Sequence, residues 1–144
     1  MRKKIKITIS LSIAILFAIL ILIFSTLKTK AIEIGPVSLI NSGTFAHLTA
    51  YFILSCSLVI YFKELEKGFA TDYKKFISGL FDMRMQNREK ILLKAAIIAG
   101  SYGIIIEIIQ ALIPYRCFQP TDMLINFTGA FLVFIAYPIL KKIN

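Results

Sequence analysis

Apolar and polar positions fall in long blocks along this chain. Near-continuous apolar runs cover residues 7–27, 45–62, 91–113 and 121–140, separated by stretches rich in lysine, glycine and small polar residues. A helix needs about 20 residues to cross a hydrocarbon core of about 30 Å, and each run has roughly that reach. The pattern predicts an all-α fold, an integral membrane bundle of four transmembrane helices forming one domain over residues 1–144. Gly35-Pro36 and Asn41-Ser42-Gly43 are turn signals that make the connection from Lys28 to Thr44 a loop. In the middle connection Phe69, Tyr73, Phe76, Ile77, Leu80 and Phe81 recur at helical spacing with Lys67, Lys74 and Lys75 between them. That spacing predicts an amphipathic interfacial helix.

Composition excludes an ordinary soluble domain, because 58% of the residues are hydrophobic and the mean hydropathy is +0.78. The net charge of +9 would suit a nucleic-acid binder, but its placement argues against one. Arg2, Lys3, Lys4 and Lys6 precede the first run, seven basic residues lie between Lys63 and Lys90, and Lys141 and Lys142 follow the last run. The intervening connections carry only Lys28, Lys30 and Arg116. This is a positive-inside distribution, which predicts a multi-pass protein of the cell membrane with both termini and the middle loop cytoplasmic. The expected partners are the bilayer and anionic lipids at the basic loop, with no nucleic acid. The first run exceeds the h-region of a signal peptide and no small-residue cleavage site follows it, so it is expected to stay as a helix. Cys56 and Cys117 imply no disulfide framework. Nothing in the sequence specifies an oligomeric state.

Polar residues inside the apolar runs carry the candidate chemistry, since an ionisable group at membrane depth costs roughly 2.5–3.5 kcal/mol on insertion scales. In the second run His47, Tyr51 and Ser55 share a helix face at four-residue spacing. In the third, Ala96, Gly100, Gly103, Glu107, Gln110 and Pro114 follow the helical period, small residues on the inner half and polar ones on the outer half. In the fourth, Asp122, Asn126, Gly129 and Ala130 share a face behind a helix start at Pro120. Asp122 suits both a first helical turn and a site, and Asn126 suits an interhelical hydrogen bond. Arg116, between the third and fourth runs, suits a salt bridge to Glu107 or Asp122, or a grip on a phosphate or carboxylate at the outer leaflet. His47 suits either a hydrogen bond to a neighbour or a general base. The catalytic candidates are His47 and Glu107; the ligand-binding candidates are Arg116, Asp122, Tyr51, Gln110 and Asn126. Zinc matches the ligand types of His47, Glu107 and Asp122, but no HExxH or paired His/Cys spacing supports it, and neither metal nor cofactor is expected.

The stretch HLTAYFILS from His47 to Ser55, EIIQ from Glu107 to Gln110, then Arg116, and Asp122-x-x-x-Asn126-x-x-Gly129 resemble the VanZ-like family of small polytopic membrane proteins. The resemblance implies a helical membrane core, and its marked positions fall on His47, Tyr51, Glu107, Gln110, Arg116, Asp122, Asn126 and Gly129. Gly43, Thr44 and Phe45 stand where the family often has an Asp or Lys ahead of the His, and Val133 stands where a small residue often follows the Gly. The family's name comes from a member associated with glycopeptide resistance, and the biochemical mechanism is not part of what the resemblance supplies. Four readings are open. The first is a non-enzymatic protein whose outer-facing polar pocket binds a lipid headgroup or lipid-linked anion. The others are a membrane-embedded hydrolase or transferase acting on a lipid-linked phosphate, a transporter, and a structural accessory subunit.

Overall fold

The computed structural model describes residues 2–27, 42–68, 87–116 and 118–143. Within them the chain forms α1 (Arg2–Thr26), α2 (Ser42–Gly68), α3 (Asn87–Ala111), α4 (Pro120–Phe131) and α5 (Val133–Ile143), and no strand. The amphipathic helix expected around Phe69 to Phe81 lies outside the described residues, as does Cys117. Four stretches are long and apolar enough to cross a membrane: Lys3–Thr26, Gly43–Lys67, Asn87–Ala111 and Pro120–Pro138. The chain is an all-helical, multi-pass membrane bundle, because only a backbone that satisfies its own hydrogen bonds is tolerated in lipid.

Two boundaries differ from the hydropathy pattern. Gly43 and Thr44, placed by their turn signal in a connection, belong to the first turn of α2. The fourth pass is made of two helical pieces rather than one: at Leu132 the backbone N–H is shared between the Thr128 and Gly129 carbonyls, at 3.1 and 3.3 Å, and α5 then starts at Val133. Further on, Pro138 lies inside α5, where its ring removes one backbone donor.

The bundle is centred on α2, which packs against α1, α3 and α4, while α3 also packs against α4. Helix α1 meets α3 only lightly. It is held mainly by one stripe, Ser10, Ala14 and Ile21, whereas Ile9, Ile13, Leu16 and Phe24 stay exposed on the lipid-facing side. Small residues set the spacing between the inner helices, as expected where lipid removes any hydrophobic drive for helix association. A Cβ on Gly103 would sit 2.7 Å from Asn126 Cβ and 3.2 Å from the Tyr51 ring, and one on Gly129 would run into the backbone of Leu48. Gly129 thus lets α4 lie directly against the backbone of α2 (at the turn that carries His47), and Gly103 lets α3 close on Asn126.

Candidate functional site

Because successive helices run in opposite directions, the C-terminal ends of α1 and α3 and the N-terminal ends of α2 and α4 meet at the end of the bundle remote from the chain termini. The polar stripes of α2, α3 and α4 converge there. His47 Nδ1 lies 3.0 Å from Asn126 Oδ1, and its Nε2 lies 3.9 Å from Asp122 Oδ2. Asn126 is fully buried, and its Nδ2 has no partner among the described residues. The Tyr51 ring lies nearly parallel to the His47 ring, with 6.5 Å between centroids, and its buried hydroxyl likewise has no partner. His47, Glu107 and Asp122 each bring one potential ligand atom to within 4.8 Å of the others.

Glu107 is fully buried in α3. Its Oε2 accepts the backbone N–H of Gln119 at 3.3 Å, and Gln119 is the N-cap residue of α4, whose first position is Pro120. One carboxylate oxygen therefore meets a donor that the first turn of a helix leaves unsatisfied, at the end where the helix dipole favours negative charge. The other, Oε1, has no partner. Gln119 makes no side-chain cap for α4, and Asp122, in the first turn, faces His47.

Arg116 and Gln110 point elsewhere. Gln110 donates to the Ser25 carbonyl at 2.9 Å, the Tyr115 hydroxyl donates to the Thr26 carbonyl at 3.1 Å, and Arg116 Nη2 donates to the Leu27 carbonyl. These three bonds take up carbonyls at the C-terminal end of α1, which has no intrahelical donors left for its last turn. Of the two partners that sequence spacing suggested for Arg116, the guanidinium takes neither Glu107 nor Asp122 but a backbone carbonyl. Between α1 and α2 lies a cavity of about 480 Å³. Phe17, Leu20, Ile21 and Phe24 give it apolar walls, and His47, Gln110 and Arg116 stand at its polar end.

A family model described as VanZ/LLP1 matches residues 10–141. The chain belongs to the VanZ/LLP1 family. Comparison with curated proteins and with solved structures gives no match. The match to VanZ/LLP1 runs from within α1 to within α5 and includes every residue of the polar end.

In this VanZ/LLP1 chain the predicted site residues sort into two adjacent groups that share one member. His47, Glu107, Asp122 and Asn126 form a compact cluster between α2, α3 and α4. Arg116, Gln110 and Tyr51 line the cavity on the α1 side, together with His47. Sequence reasoning missed the backbone groups: the carbonyls of Ser25, Thr26 and Leu27 and the N–H of Gln119. Helix ends supply such groups whatever their side chains, so the available signal was the position of α1's C-terminus and of Pro120, not residue type.

Proposed function

We propose that the cavity between α1 and α2 receives the chain of a lipid or a lipid-linked molecule, with its anionic group held at the polar end by Arg116. The observation that carries this reading is the division of the cavity, with Phe17, Leu20, Ile21 and Phe24 along its walls and Arg116, Gln110 and His47 at one end. The guanidinium has five N–H donors, of which Nη2 gives one to Leu27 while the buried Nε has no partner among the described residues. A guanidinium with free N–H groups suits phosphate. The positive-inside distribution supports an orientation with this end on the outer side of the cell membrane and the basic middle connection near anionic lipids at the cytoplasmic side.

The test is lipid retention by the purified protein in detergent, read by native mass spectrometry with phosphatidylglycerol, a polyprenyl phosphate and phosphatidylcholine offered separately. Retention of the two anionic probes over phosphatidylcholine is expected. Arg116→Ala should weaken it by about 10- to 100-fold, the loss of a hydrogen bond to a charged group worth roughly 1.5–3 kcal/mol. An Arg116→Ala protein that binds as well as the parent removes the proposal.

A second reading has a specific observation behind it. His47, Asp122 and Glu107 converge on one point beside the cavity, and general acid–base catalysis needs a small number of well-placed titrating groups. A hydrolase or transferase acting on a lipid-linked phosphate would release or move phosphate in a reaction lost in His47→Gln. Absence of turnover on polyprenyl and glycerolipid phosphates leaves the binding reading alone.

A further inference from the structure

The cluster of His47, Glu107 and Asp122 stands apart from the anion reading, because Glu107 and Asp122 do not line the cavity. From its geometry we infer a binding site for one divalent metal ion, held by His47 Nε2 and the two carboxylates, with Asn126 as the positioning residue. The inference holds whether or not the cavity takes a lipid.

Three observations carry it. The first is convergence: one ligand atom from each of three helices lies within 4.8 Å of the other two. A metal bonded to nitrogen and oxygen at about 2.0–2.2 Å holds neighbouring ligand atoms about 3–4 Å apart, so the three side chains need to close by only about an ångström.

The second is the orientation of the imidazole. The 3.0 Å contact with Asn126 Oδ1 is a hydrogen bond if His47 carries its proton on Nδ1. Nε2 then turns a bare lone pair toward Asp122 Oδ2, 3.9 Å away. Two acceptors facing each other at that distance call for a positive charge between them. A metal-binding histidine is typically fixed in this way, its other ring nitrogen donating to an oxygen that sets tautomer and direction.

The third is the unmatched buried oxygen. Glu107 is fully buried, its Oε2 is taken by the Gln119 N–H, and Oε1 has no partner among the described residues. Two carboxylates this close in a membrane bundle repel one another, and a buried charge without compensation is costly. A divalent ion removes both penalties together. One imidazole with two carboxylates favours an ion of borderline softness, such as Zn²⁺ or Mn²⁺, and three protein ligands leave a position open.

His47 is the single histidine of the chain, which makes the test specific. Tag-free full-length protein in detergent, stripped with a chelator, is titrated with Zn²⁺ alone. Bound metal per chain is measured by atomic emission, and the ¹⁵N imidazole resonances report on His47. One equivalent is expected to bind, with a large shift at Nε2 and little at Nδ1. Glu107→Gln and Asp122→Asn should each lose the stoichiometric equivalent, Asn126→Ala should keep it but bind about 10- to 100-fold more weakly, and Leu124→Ala, on the exposed face of α4, should bind as the parent does. Asp122 is partly exposed at a helix start, so Asp122→Asn keeps the test decisive if Glu107→Gln fails to fold. Titration without saturation at one equivalent, an unmoved imidazole signal, or an Asp122→Asn protein that binds like the parent overturns the inference.

Discussion

Toward the chain termini, the bundle is filled by Val59, Ile91, Leu92, Ala95, Ala96 and Val133. Toward the other end, Tyr51, Leu54, Ile106 and Ala130 share the interior with Glu107 and Asn126, both fully buried. In the first region apolar groups fill the interior and close approach through alanine does the packing, with Lys63 and Arg88 over the Tyr137 ring at its edge and Arg88 Nε a buried donor without a partner among the described residues. In the second, buried hydroxyl, amide and carboxylate atoms at Tyr51, Asn126 and Glu107 have no partner among the described residues. Membrane bundles gain little from mere removal of apolar surface, so packing accounts for the first region. A set of buried polar atoms left over in the second is expensive, and such a set is retained where a ligand or an ion completes it.

Overpacking between the inner helices gives the largest effect. Leucine at Gly129 would drive a side chain into the Leu48 backbone, which cannot yield as a side chain can. A loss of more than about 3 kcal/mol, at or beyond the upper end for overpacked cores, should appear as failure to give a monodisperse folded protein in detergent. Gly103→Leu, which meets Asn126 and Tyr51 side chains, should cost about 1–3 kcal/mol by thermal unfolding followed by circular dichroism. Equal stabilities for the parent and either variant would mean that α2, α3 and α4 do not approach as described.

Polar changes should then separate the two regions. Asn126→Ala removes the contact to His47 and should cost about 0.6–1.7 kcal/mol, the range for hydrogen bonds between membrane helices. Glu107→Gln keeps an oxygen for the Gln119 N–H and is expected to change stability by less than about 1 kcal/mol, while metal binding at the His47 cluster is lost. A protein that unfolds on Glu107→Gln instead would make the polar end a packing device like the other half. Smallest of all, Leu124→Ala on the exposed face of α4 should stay within about 0.5 kcal/mol of the parent in the same melts. A larger loss there would point to a contact with another chain.

Much of this was legible along the chain. The apolar runs mark four passes, and the three stripes built on His47, Glu107 and Asp122 select the residues that meet at the end remote from the termini. What spacing misjudged was Arg116, whose proximity in sequence to Glu107 and Asp122 suggested an ion pair, whereas its guanidinium reaches α1's last carbonyls. Helix α1 carries no charged side chain within its apolar run. Its contribution to the site is made by the backbone carbonyls of Ser25, Thr26 and Leu27, which every sequence possesses.

Hydropathy and helical period by themselves determined that this chain is a helical membrane bundle, and which face of each helix turns inward, because both depend only on residue type and a fixed rise and rotation per residue. Which polar groups bond, and which are left over, was decided only in three dimensions. Gly129 and Gly103 set how near the helices come, that distance puts Asn126 on Nδ1 of His47 and Asp122 beyond Nε2, and the packing of α1 on α2 leaves the cavity that Arg116 lines. Period fixes direction around one helix axis; the separation between axes depends on the side chains of every neighbour at once.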